Sequence, residues 1–164
     1  MTITNIEELF IDELKDVYSS EKQLVQALPK LAKASSSKDL KKAFEGHLSE
    51  TKGHIKRIEQ IFKLLGETPK SKTCEATRGL VEEGKDAIDT EFEGENLQDN
   101  LLIGCGQKVE HYEIASYGTL KAWAEKMNKP KVVKLLDETL EEEKAADKKL
   151  SDIADALAMV GNGK

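Results

Sequence analysis

Residues 103–124, IGCGQKVEHYEIASYGTLKAWA, decide how this chain folds. At steps of three and four residues, Ile103, Gly106, Glu110, Glu113, Tyr117, Leu120 and Ala124 fall on one side of a helix. Small or apolar residues hold both ends of that stripe, and two glutamates stand in its middle. A glutamate at a position reserved for an apolar side chain is either out of phase or an ionisable group built into a core. One such residue favours the first explanation, so the rest of the chain must decide.

Working outward, each long helical pattern carries one similar interruption. The quoted stretch belongs to a helix over about 97–127, and a further helix is expected over about 131–159. The latter runs Leu136, Leu140, Glu143, Asp147, Leu150, Ala154 and Leu157. Upstream, a helix over about 5–34 places Glu21 among Val17, Leu24 and Leu28, with Tyr18 close to the same side. A helix over about 38–65 runs Leu40, Phe44, His47, Glu50, His54, Ile58 and Ile61. A shorter helix over about 76–90 is expected around Leu80, Val81, Ala87 and Ile88.

Local signals set the boundaries. Thr4 with Glu7 has the form of a capping box, and Ser37 suits an N-cap. Pro29 should kink the first helix near its end. Gly66 sits where a left-handed C-cap belongs, with Pro69 beyond it, and Asn128-Lys129-Pro130 forms the last turn. The terminal GNGK is expected to fray.

Short turns make two antiparallel hairpins, and a connection of about 30 residues joins them, enough to travel the length of a bundle. Two helical hairpins joined by one long crossover make the ferritin-like arrangement, a single all-α domain over 1–164. Heights agree with it. Glu21 and Glu50 are equidistant from the Ser35–Ser37 turn, and Glu110 with Asp147, or Glu113 with Glu143, from the Asn128–Pro130 turn. Each acid is about 15 residues, or about 22 Å, from its turn, so all four zones meet near mid-height.

Bare carboxylates lose too much solvation in a core; they must protonate, pair with cations or bind metal. No lysine or arginine occupies the stripe positions named above. Two divalent ions would balance four or five carboxylates, and oxygen with imidazole nitrogen suits iron or manganese, with zinc as the next choice. The expected ligands are Glu21, His47, Glu50, His54, Glu110, Glu113, Glu143 and Asp147.

Composition limits the alternatives. A net charge of −6 with no basic block argues against nucleic-acid binding. No run approaches the roughly 20 apolar residues of a membrane span, and MTITNIEELF lacks the form of a secretory signal. Cys74 and Cys105 form no CxxC motif. A cytoplasmic protein is the expectation. Cys105, Tyr112 and Trp123 read as packing, and the small Gly104 and Gly106 as permitting close helix approach.

The segments DVYSSEKQL, HLSETKGHIKRIEQIF, QKVEHYEIASYGTL and ETLEEEKAADKKL resemble the YciE/YciF family of ferritin-like stress proteins, closer to its YciF side. The likeness covers nearly the whole chain. It implies a ferritin-like bundle, a rubrerythrin-type dimetal site and a homodimer. Glu21 matches the single acid of the first helix, and Glu110 with Glu113 matches a Glu-x-x-Glu element. The Glu-x-x-His elements are kept only in part: Gly53 follows Glu50, and Ala146 follows Glu143, at the histidine positions. Nitrogen would come from His47 or His54 instead, and Asp147 would substitute on the last helix.

Two functions compete. One is a dinuclear centre protecting against peroxide or dioxygen, with Glu50 and Glu143 bridging and Glu21 and Glu110 terminal. The other is a non-enzymatic structural or interaction protein of the stress response. Iron storage is a third, and needs a many-subunit cage.

Overall fold

The computed structural model describes residues 2–94 and 96–157. Five helices follow in order: α1 Ile6–Ala34, α2 Lys38–Leu64, α3 Glu75–Asp89, α4 Leu97–Lys126 and α5 Pro130–Ala156. Each lies within a few residues of its expected span. The expected end of the last helix at Met159, and the GNGK tail, lie outside the described residues.

Local chemistry explains the ends. Asn5, not Thr4, caps α1: its side chain accepts from the Glu8 amide at 2.9 Å. Glu8 reaches back to the Thr4 amide at 2.8 Å, one residue before the cap, so Asn5 and Glu8 do the work expected of Thr4 and Glu7 without closing a strict box. Ser37 caps α2 as expected, accepting from the Leu40 amide at 3.3 Å. Gly66 takes φ 74°, the left-handed conformation that ends α2. Pro29 lies on an exposed face within α1, which runs on to Ala34.

Antiparallel hairpins α1–α2 and α4–α5 pack side by side, with α2 against α5 and α1 against α4. The connection after α2 runs the full length of the bundle. Its far end is pinned where Asp99, in the first turn of α4, accepts from the Ser36 and Ser37 amides at 2.9 and 2.7 Å. Along the way α3 packs over α1 and α4. On the other side of α4, Gly106 makes room for α2 and α5: a Cβ there would stand 3.0 Å from Leu150 and 3.2 Å from Phe44. Gly104 instead faces open space.

The core is not continuous. One apolar cluster gathers Phe10, Leu14, Ile61, Phe62, Leu120 and Leu136. A second gathers Leu24, Leu28, Leu40, Phe44, Leu102 and Leu150. Between them along every long helix lies the polar zone marked by the sequence.

Candidate metal centre

Glu21, His47, His54, Glu110, Glu113 and Glu143 are all buried, and they come from all four long helices. Their ligand atoms form two groups: His47, Glu110, Glu113 and Glu143, and Glu21, His54 and Glu143. Within each, the atoms lie within 4.8 Å of one another. Glu143 belongs to both. Its Oε2 is 3.6 Å from His47 Nε2 and its Oε1 is 3.0 Å from His54 Nδ1. The two oxygens of one carboxylate thus face two different imidazoles.

Both imidazoles are held in the same way. The inner nitrogen points at carboxylates: His47 Nε2 is 3.3 Å from Glu110 Oε1, and His54 Nδ1 is 3.3 Å from Glu21 Oε1. Neither inner nitrogen has hydrogen-bond geometry to these neighbours. The outer nitrogen meets a second carboxylate: His47 Nδ1 is 3.3 Å from Glu50 Oε2, and His54 Nε2 is 2.9 Å from Glu142 Oε2. An N–H donated outward leaves the inner lone pair free for a cation, an arrangement common around metal-bound histidine.

Two of the expected ligands sit elsewhere. Glu50 is exposed, with its side chain 47% accessible, and it touches the cluster through His47. Helical geometry accounts for this: seven residues nearly complete two turns, so His47 and His54 share a face within about 20°, whereas three residues leave Glu50 about 60° away. Asp147 is partly exposed and turns toward α4, where it accepts from Gln107 Nε2 at 3.1 Å and lies 3.2 Å from His111 Nε2. Four residues past Glu143 carry it about 40° off the core direction.

Other residues take parts the sequence did not disclose. Glu142 is off the stripe that holds Glu143, yet Arg57 grips it with two hydrogen bonds, at 2.6 and 2.7 Å, while it holds His54 at 2.9 Å. The three-residue spacing of His54 and Arg57 was the available signal; their shared partner comes from α5. Tyr117 donates to Glu21 Oε1. Tyr18 turns away and donates to Glu59 at 2.7 Å. Tyr112 does more than pack: its hydroxyl donates to Asp16 at 3.0 Å and meets the Cys74 sulfur at 2.9 Å.

Electrostatics match the crowding. Burial, then the charge of Glu143, holds the carboxyls of Glu110 and Glu113 well above the usual range. Burial also raises Glu21, against the opposing pull of His54. Burial pushes Glu143 up as well, but His54 and His47 more than offset it and leave it lowered. For His54, burial disfavours the charged ring, yet Glu143 and Glu21 prevail and push it up to about 10. The metal-free chain therefore keeps protons where positive charge is needed.

A divalent cation fits this donor set. Among the described residues, every buried side-chain atom without a hydrogen-bond partner belongs to these six residues except Thr51 Oγ1. They include both Glu113 oxygens and both Glu143 oxygens. Unsatisfied buried oxygens and imidazole nitrogens converging on two points are costly unless a cation or protons complete them.

Two helical hairpins, a crossover and a mid-height carboxylate–imidazole cluster define a ferritin-like bundle. Residues 5–160 match the family described as a domain of unknown function, DUF892, and the chain belongs to that family. It is 50% identical over 155 residues to Protein YciF of Escherichia coli (strain K12), covering 94% of this chain and 93% of that protein. The crystal structure of the E. coli stress protein YciF matches with a TM-score of 0.90 at 49% identity, over 93% of this chain and 96% of that one. YcfI of Rhodopseudomonas palustris matches with a TM-score of 0.88 at 38% identity, over 96% and 97% of the two chains. Ferritin-like, diiron-carboxylate proteins from Bacillus anthracis str. Ames match with a TM-score of 0.71 at 18% identity, over 93% and 99%, a likeness of fold alone. The resemblance drawn from the sequence segments holds. Among the described residues, no helix is long and apolar enough to cross a membrane.

Proposed function

We propose that this chain is a metal-binding, ferritin-like stress-response protein whose buried cluster holds two divalent ions, iron or manganese before zinc, and protects against peroxide or dioxygen. The observation that carries this reading is Glu143, whose two oxygens face the inner nitrogens of His54 and His47 at 3.0 and 3.6 Å. Glu143 would be shared by both ions; His54 with Glu21 would hold one, and His47 with Glu110 and Glu113 the other. This amends the sequence-based assignment: Glu50 orients His47 rather than bridging, and Asp147 stands at the edge.

Bound ions would supply Lewis acidity and redox equivalents. The chain's own residues do the rest. Glu142 and Glu50 hold the imidazole tautomers, Tyr117 holds one oxygen of Glu21, and the two apolar clusters keep bulk water away. Because burial and neighbouring charge favour the protonated forms of His54, Glu110 and Glu113, cation binding there would release protons.

Elemental analysis of protein from its native host, grown without metal supplement, should find about two ions per chain by the two-ion geometry. Peroxide consumption should disappear in Glu143→Gln. No turnover with either iron or manganese removes the enzymatic reading. The alternative, a structural metal in a non-enzymatic protein, draws support from the Arg57–Glu142 clamp that locks one half of the cluster. In that case a chelator lowers thermal stability with no activity to lose. The resemblance also supports a homodimer, which size-exclusion elution checks; a dimer rules out a storage cage.

A further inference from the structure

Around the cluster the walls differ in how they are closed. Toward α3, Ser20 and Thr77 hydroxyls meet at 2.7 Å, and Cys74, Tyr112 and Asp16 form a continuous hydrogen-bonded chain. Toward Arg57, the doubly bonded Glu142 covers the outer edge of His54. Between α2 and α5 the wall is open. A cavity of about 100 Å³ enters there, flanked by Gly46, Ala145 and Ala146, with Lys149 at its rim and His47 and Glu110 at its floor.

The floor is what makes this opening informative. His47 and Glu110 are 5% and 3% exposed, and His47 Nε2 and Glu110 Oε2 have no hydrogen-bond partner. Ala146 stands three residues after Glu143, about 60° round the helix, on the side of α5 that lines this cavity. An alanine there fills little of the wall, so one side of the His47–Glu110 position borders space instead of a side chain. Resting on the dinuclear reading above, we propose that small anionic or neutral ligands of about the size of peroxide reach the His47–Glu110 position through this opening. In the same proposal, Gly46 and Ala146 set its width.

Size and charge both limit what passes. The volume holds on the order of several water molecules, too little for an aromatic or a long-chain substrate. Lys149 offsets the charge of Glu50 beside it, so the mouth admits a small anion as well as a neutral ligand. Glu50, bonded to His47 Nδ1 and half exposed, lines the same opening.

Azide binding to protein loaded to equilibrium with Co²⁺ tests the passage without any turnover assay. Gly46→Leu is the main variant, because a Cβ at Gly46 meets nothing within 4 Å and leucine is the better helix former. Ala146→Leu narrows the opposite wall independently. Both variants should keep the wild-type Co²⁺ content, while azide association, followed in the visible cobalt spectrum, slows by about tenfold or more, as expected when access is restricted. Unchanged azide association in Co²⁺-loaded Gly46→Leu overturns the passage and leaves the dinuclear reading standing. Loss of Co²⁺ from both leucine variants also overturns it, because the small residues then serve the packing of the site and not access to it. Wild-type protein that takes up no Co²⁺ overturns the dinuclear reading and the passage together.

Discussion

The two halves of the cluster share Glu143 and the same imidazole pattern, but they are finished differently. In the half containing Glu21 and His54, every supporting group is itself held: Tyr117 bonds Glu21, and Glu142, fixed by Arg57, bonds His54. In the half containing His47, Glu110 and Glu113, the orienting Glu50 is exposed, both Glu113 oxygens lack partners, and the opening between α2 and α5 reaches the floor. One half is held by buried or clamped groups and the other borders a cavity. Similar donor chemistry is supported differently because the outer groups differ in exposure.

Removing the shared residue should break the comparison altogether. Glu143→Ala should abolish binding of both ions and destabilise the metal-free chain by about 3–5 kcal/mol, since two buried imidazoles lose their common partner. Metal analysis and denaturant unfolding check this. Loss of only one ion would mean that the halves are independent.

Next in size is a pH effect belonging mainly to the locked half. The fold raises His54 to about 10, so its stabilising contribution is complete below its ordinary value of 6.5 and disappears as pH climbs through about 10. Glu110 and Glu113, also raised, act in the same direction from the carboxylate range upward. Glu143, lowered, opposes them only as pH falls below that range. The metal-free protein should therefore be most stable in mildly acidic solution and lose several degrees of Tm by pH 10. Metal should flatten that slope, because cations replace the protons.

Smaller effects sharpen the contrast. Arg57→Ala should cost about 1–3 kcal/mol, as Glu142 loses both of its charged hydrogen bonds. Glu50→Ala should cost under about 1 kcal/mol, because Glu50 is exposed. It should nevertheless weaken one metal position by about 10–100-fold, the usual effect of losing an outer carboxylate from a ligating histidine. Comparable stability losses in the two variants would show that the halves are supported alike.

Much of this was legible in the chain. Stripes in α1, α2, α4 and α5 marked Glu21, His47, His54, Glu110, Glu113 and Glu143, and each is buried. Turn lengths marked the crossover. Glu50 and Asp147 were misplaced because offsets of about 60° and 40° decide exposure only once each helix has a fixed rotation in the bundle. The Arg57–Glu142 clamp joins residues 85 apart in the sequence, and no spacing along α2 or α5 pairs them.

Periodicity and caps determined by themselves that this chain makes four long helices with an acidic zone at one height. Those features follow from local geometry, repeating every 3.6 residues whatever the neighbours do. Tertiary structure alone decided which carboxylate faces both imidazoles, which one meets a histidine from outside, and which side of the cluster borders a cavity. Each depends on helix rotation and on atoms from different helices meeting within hydrogen-bond distance, which no spacing along one helix encodes.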